Sequence, residues 1–135
     1  MCSSDLKGLA LESVDPGAAL EAYRRAVESD PAHVDAWINV GGLLHEASRH
    51  AEAERAYREA LKACGSEPLL LYNLGVLLDD MGRKPEALEA YETALRGNPA
   101  LADCHYNLAL LCEELKRPKD AIRHMAQYRR LVGKG

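Results

Sequence analysis

Phenylalanine is absent from the 135-residue chain, tryptophan occurs once, and aromatic residues amount to 5% of the total. Six tyrosines are left to supply bulky packing, so where they fall becomes informative. Cysteine is scarce: Cys2, Cys64, Cys104 and Cys112 are too few and too scattered for a disulfide framework, which points to a reduced, cytoplasmic chain. No apolar run approaches the roughly 20 residues that span a bilayer, which argues against a membrane helix. Basic charge is not in excess, with 17 Lys and Arg against 21 Asp and Glu, a formal net charge of −4 and a pI near 5.7. Direct nucleic-acid binding is therefore not expected. The apolar fraction of 47% is enough for a core, and 14.8 kDa suits a single domain over residues 1–135.

Catalytic patterns are missing as well. His33, His45, His50, His105 and His124 form no HExxH, the cysteines form no CxxC, and Gly41-Gly42 is no phosphate-cradling loop. No enzyme activity, cofactor, metal ligand or small-molecule substrate is expected.

What the chain does have is a period. Tyr23, Tyr57 and Tyr91 stand 34 residues apart, and the next step lands on Met125. The same interval links Asn39, Asn73 and Asn107; Ala19, Ala53, Ala87 and Ala121; Ala26, Ala60 and Ala94; and Val40, Leu74 and Leu108. Gly41 and Gly75 are followed by Ala109, and Pro31 and Pro99 bracket Gly65. A fixed period of this length signals stacked structural units. It divides the chain into repeats at roughly 1–33, 34–67, 68–101 and 102–135.

Within one period the spacing is helical. Trp37, Val40, Gly41 and Leu44 share one stripe of a helix, and Ala53, Tyr57, Ala60 and Leu61 share another, with a polar turn at Ala47-Ser48-Arg49-His50 between them. Each unit therefore reads as a helix hairpin. Pro16, Pro85 and Pro118 stand near the start of the second helix, where a missing N–H costs least, and Pro31 and Pro99 stand beyond its end. The small residues at the glycine and alanine columns let helix axes approach closely, with the tyrosines expected to fill the space between neighbouring units. Cys112 takes a core column and reads as a buried apolar residue. His105 takes the tryptophan column and reads as packed.

The pattern W-x2-V-G-x2-L, then A-x3-Y-x2-A, then P resembles the tetratricopeptide repeat. Trp37/Val40/Gly41/Leu44 with Ala53/Tyr57/Ala60 carries the match, as does Leu71/Leu74/Gly75/Leu78 with Ala87/Tyr91/Ala94/Pro99. His105/Leu108/Ala109/Cys112 with Ala121/Met125/Tyr128 is a weaker copy, and the first unit matches best at Ala19/Tyr23/Ala26/Pro31. The resemblance implies an all-α fold, a right-handed α-superhelix of about four stacked hairpins whose first helices line a concave groove. The carboxylate clamp that some family members use on chaperone tails does not carry over. Its columns hold Ile38 and Gly42, then Asn73, then Asp103 and Asn107, and Asp103 has the wrong sign.

Both ends are unusual. Met1-Cys2-Ser3-Ser4-Asp5-Leu6 is similar to a translated sequencing-adapter oligonucleotide, so residues 1–6 are expected to be non-native and the protein to extend upstream. At the other end the last helix mixes Arg123, His124, Gln127, Arg129 and Arg130 with Ile122, Met125, Tyr128, Leu131 and Val132. Without a solvating helix after it, a partly exposed apolar end capable of self-association is expected.

Turning 100° per residue, the helix places certain side chains opposite the packed stripe. In the second unit these are Ile38, Asn39 and His45, with Asp35 and Glu46 adjoining. The third offers Leu69, Tyr72, Asn73, Val76, Asp79 and Asp80, and the fourth Asp103, Tyr106, Asn107, Leu110, Glu113 and Glu114. In the resembled family these positions line the ligand groove. The asparagine column could serve an extended peptide backbone, since an amide both donates and accepts, or could tie neighbouring helices together. Segments 34–47, 68–81 and 102–115 hold seven carboxylates and no Lys or Arg, so the concavity is expected to be acidic. Residues 116–135 hold seven basic residues against Asp120 alone.

The expected function is a non-enzymatic protein-interaction module that takes a basic or neutral peptide with an apolar anchor. The Ala- and Arg-rich repeats look bacterial and are similar to those attached to some helix-turn-helix transcriptional regulators. Two alternatives stand beside this: a substrate-recruiting arm of an enzyme such as an O-linked sugar transferase, and a self-assembly element.

Overall fold

The computed structural model describes residues 15–133. The expected first helix of the first unit, the adapter-like residues 1–6 and Cys2 lie outside the described residues. Among the described residues there are seven helices and no strands: α1 (Pro16–Ser29), α2 (Val34–Glu46), α3 (His50–Cys64), α4 (Pro68–Asp80), α5 (Lys84–Gly97), α6 (Ala102–Glu114) and α7 (Pro118–Gly133). Helices α2 and α3, α4 and α5, and α6 and α7 pair as hairpins, while α1 packs on α2. Each hairpin stacks on the next through α3 against α4 and α5 against α6, and α2, α4 and α6 run side by side. No helix among the described residues is long and apolar enough to cross a membrane.

One turn is used three times. Ser48, Gly82 and Lys116 adopt positive φ of 62°, 80° and 60° at the 34-residue spacing. The next residue, Arg49, Arg83 or Arg117, donates its backbone N–H to Leu44, Leu78 or Cys112, five positions back. This is the 6→1 closure of a helix ending on a left-handed residue. Each of these arginines then pairs with the acid in the first turn of the following helix, Glu52, Glu86 or Asp120. The expected proline placements hold: Pro16, Pro85 and Pro118 lie in the first turns of α1, α5 and α7. Asp15 caps α1 by accepting from Gly17 N at 3.0 Å.

The core is built from small side chains around rings. Ala19, Ala53 and Ala87 are fully buried, as are Tyr23, Tyr57 and Tyr91, along with Leu70, Leu77 and Leu108. Two of the tyrosines also pack inside their own hairpins. Tyr57 lies across Gly41 and Tyr91 across Gly75, each on the first helix of its own hairpin, so the ring closes the hairpin from within. Tyr72, on the same hairpin as Tyr91, packs on that ring with centroids 6.0 Å apart, and the next unit is reached through Cys104, whose thiol donates to the Tyr91 carbonyl at 3.5 Å.

The tryptophan column has a polar duty that His105 inherits. Trp37 donates its indole N–H to the Pro31 carbonyl at 2.7 Å, and His105 Nε2 meets the Pro99 carbonyl at 2.9 Å. Both rings reach back six residues to a proline. Because a carbonyl only accepts, Nε2 of His105 carries the proton, and its Nδ1 faces Nδ1 of His124 at 3.0 Å.

That contact makes stability depend on pH. Burial, reinforced by the His105 ring, holds the His124 pKa down to about 4, against about 6.5 in an unfolded chain. Between those values the unfolded chain takes up a proton that the folded one refuses. The stabilising contribution is therefore complete above about pH 6.5 and is lost as the pH falls toward about 4. Discounted for a half-buried, partly screened ring, the effect is about 1–2 kcal/mol. Urea midpoints at about pH 7 and about pH 4.5 check it. The wild type should lose more stability on acidification than His124→Gln, and equal losses would refute the assignment.

Candidate functional site

The groove is formed by α2, α4 and α6. A cleft of about 630 Å³ is lined by His45 from α2, Val76, Asp79 and Asp80 from α4, and Asn107, Leu110 and Glu114 from α6. Side chains from three successive units thus converge on one hollow, with Tyr91 and Leu111 beneath it. A smaller hollow of about 200 Å³ lies toward the N-terminal ends of α4 and α6, lined by Leu69, Tyr72, Leu101, Asp103 and Cys104 among others. Asp35, Ile38, Asn39, Glu46, Asn73, Tyr106 and Glu113 line neither hollow. Of these, Ile38 is half-buried against the core, and Tyr106 packs on Tyr128 of α7 at 5.0 Å.

Of the two roles left open by the sequence, Asn107 takes that of tying neighbouring helices. Asn107 donates to the Tyr72 hydroxyl at 3.0 Å, across the junction between α4 and α6. Asn73 donates to the Leu69 carbonyl at 2.7 Å, within its own helix. Tyr72 ionises above the usual tyrosine range, chiefly because of burial and then the Asp103 charge, with the Asn107 bond opposing.

The acidic concavity contains a cation that the first-helix segments do not supply. Lys84, the first residue of α5, bonds the Asp79 carboxylate and lies 3.2 Å from Glu114. Those two bonds raise its pKa, with that to Asp79 the larger cause. Its position, 34 residues after His50 and 34 before Pro118, was visible as a column, but its direction was not. His50 enters the same way, and both His45 and His50 face Asp80, at 2.8 and 3.7 Å. The His45 bond is the main reason the Asp80 carboxyl stays below the ordinary range.

Neither buried cysteine offers a nucleophile here. Cys104 and Cys112 are buried, and burial pushes the Cys104 thiol up to about 12. A separate cavity of about 350 Å³ between α1 and α3 is lined by the packed stripe of α2, including Trp37, Val40 and Leu44, and lies apart from the groove.

Stacked helix hairpins with a recurring turn and a hollow along their first helices define a helical-repeat protein. The family model described as tetratricopeptide repeat matches residues 9–68 and 72–134, and the chain belongs to that family. Its architecture is a right-handed α-superhelix, and as a tetratricopeptide repeat protein it is a scaffold for protein–protein interaction. Among solved structures, the crystal structure of MamA is 20% identical, with a TM-score of 0.79 over 92% of this chain and 73% of that one. MamA (41-end) from Desulfovibrio magneticus RS-1 is 20% identical, with a TM-score of 0.80 over 97% of this chain and 75% of its own. A tetratricopeptide repeat protein from Parabacteroides merdae is 23% identical, with a TM-score of 0.81 over 98% of this chain and 53% of its own. At such identities the likeness is one of fold. No curated protein matches the chain.

Proposed function

We propose that this is a non-enzymatic, cytoplasmic module that binds a peptide segment of a partner protein along the face formed by α2, α4 and α6. The observation that carries the reading is the single cleft to which three successive units contribute carboxylates, an amide and apolar surface. Asp79, Asp80 and Glu114 in the cleft outnumber Lys84, so a basic or neutral segment is favoured. Leu69 and Leu110, 44% and 41% exposed, are the surfaces for an apolar anchor. Asn73 commits one N–H to the Leu69 carbonyl and Asn107 donates to Tyr72, and each amide keeps its oxygen as an acceptor for a peptide backbone. A small-molecule substrate, a membrane and nucleic acid are not part of the proposal.

Fluorescence anisotropy with labelled peptides of matched length, one lysine-rich with a single leucine and one glutamate-rich, tests this. The basic peptide should bind more tightly and weaken as salt rises. Asn73→Ala should weaken it severalfold with melting unchanged, since a hydrogen bond contributes about 0.5–1.5 kcal/mol. Asn107→Ala should lower both binding and melting, because its bond to Tyr72 is lost as well. Equal affinity for the acidic peptide, or unchanged binding by Asn107→Ala, would overturn the reading.

A second reading, assembly of copies through α7, is favoured by the exposure of Ile122 at 71% and Val132 at 48% on that helix. Light scattering over a concentration series separates it from a monomeric receptor.

A further inference from the structure

His45, His50 and Asp80 meet at the edge of the cleft. His45 lies in the last turn of α2, His50 opens α3 across the same turn, and Asp80 ends α4 in the next hairpin. The Nε2 atoms of both rings face one carboxylate oxygen of Asp80, at 2.8 and 3.7 Å. The rings stand edge to face with centroids 5.5 Å apart, and one ligand atom from each of the three residues lies within 4.8 Å of the others. The rings are half-buried, whereas the Asp80 side chain is 60% exposed and bonded to His45.

Adding 34 to each number gives Asp79, Lys84 and Glu114. At that next junction the three form a closed cation site: the Lys84 ammonium bridges the carboxylates of two successive hairpins. At the earlier junction the ammonium and one carboxylate are replaced by two imidazoles, and one carboxylate remains. Two nitrogen donors and an anionic oxygen thus stand around a position that is cationic one repeat later.

The geometry points to a binding site for one divalent transition-metal ion, of which zinc is the type case, held by His45 and His50 of the second hairpin and Asp80 of the third. Imidazole with carboxylate suits zinc, cobalt, nickel or copper, while magnesium and calcium take all-oxygen cages. Tetrahedral zinc at about 2.0–2.1 Å from its ligands needs ligand atoms roughly 3.3 Å apart, so the Asp80 carboxylate must turn and the His45 and His50 rings must draw together from within 4.8 Å. Loading moves the His45 ring proton from Nε2 to Nδ1, so that Nε2 gives its lone pair to the metal in place of its bond to Asp80. Three protein ligands leave a fourth position open, and His45 and Asp80 turn it toward the cleft. The ion would staple two hairpins at the same place where Lys84 staples the next two. The inference goes beyond the peptide reading and does not depend on it.

Calorimetric titration of the metal-free full chain with zinc chloride tests it, beside cobalt(II) ligand-field spectra and melting with and without zinc. One equivalent should bind, the melting temperature should rise, and magnesium should do neither. Loss of a group that merely orients a ligand costs about 10–100-fold in affinity, so His50→Gln and Asp80→Asn should each weaken zinc binding by at least about a hundredfold. Both are surface changes whose helicity is checked by circular dichroism, and Glu21→Gln on exposed α1 serves as the control that binds like wild type. No zinc binding by the wild type, or undiminished binding by His50→Gln and Asp80→Asn, would overturn the assignment.

Discussion

Tyr91→Ala is expected to destabilise the protein by about 3–5 kcal/mol, the range for removing a large ring from a core. The ring is 1% exposed and lies over Gly75, where an added Cβ would come within 2.7 Å of Cδ1 and Cε1. Its other side meets Tyr72, and its backbone carbonyl accepts from the Cys104 thiol at 3.5 Å, so one residue touches both its own hairpin and the next. Truncation leaves a void walled on one side by a glycine, which has no side chain to collapse into it, so the cost belongs at the upper end of that range. Against a total stability of about 5–15 kcal/mol for a domain, such a loss brings the chain close to unfolding. Tyr91→Phe keeps the ring and should lose far less. Urea unfolding distinguishes the cases: the midpoint should fall steeply for the alanine variant at little change in slope. A loss under about 1 kcal/mol would mean that the ring is not the keystone of its hairpin.

The hairpins were legible in the sequence because packing that repeats leaves columns. Tyrosine, alanine and glycine at one interval marked which faces are buried, and the prolines marked where helices begin and end. What the columns could not say is which partner a buried ring meets. Gly41 and Tyr57 are 16 residues apart, as are Gly75 and Tyr91, yet pairing them requires the geometry of a turn in which Ser48 and Gly82 take positive φ. Serine gives no local sign of that conformation. The groove was legible on the helices that carry it and illegible where side chains arrive from elsewhere. Lys84 reaches in from α5, and its charge alters an acidic surface inferred from the first helices alone. His50 and Asp80 are 30 residues apart on different hairpins, a spacing that matches no ligand motif. Asn107 finds Tyr72 only because α4 and α6 lie side by side. The polar duty of His105 had a signal, since Pro31 and Trp37 share the six-residue offset of Pro99 and His105, while Leu71, six residues after Gly65, has no donor to offer.

Adjacent glycines in α2 should respond to alanine with opposite signs. An alanine Cβ at position 41 would fall inside contact distance of Tyr57 Cε1 and Cζ and 2.8 Å from Cδ1, against a ring that is 1% exposed. The obstacle is the body of a packed aromatic and cannot fold away as the end of a flexible chain could. Overpacking of this kind costs about 1–3 kcal/mol, and a clash with several ring atoms at once belongs near 3. The gain in helix propensity from Gly to Ala, about 1 kcal/mol, offsets only part of it. At Gly42 no atom lies within 4 Å of the added carbon, so the propensity gain acts alone and Gly42→Ala should stabilise by about 0.5–1 kcal/mol. Both substitutions alter the same helix by the same atom, so any general effect on α2 cancels in the comparison. Combining Gly41→Ala with Tyr57→Leu should cost less than the two single changes added together, because the smaller side chain vacates the space that the new methyl enters. Midpoints of urea unfolding for the four variants decide it. If Gly41→Ala matches or exceeds wild type, Tyr57 does not rest on that glycine and the hairpin closes in some other way.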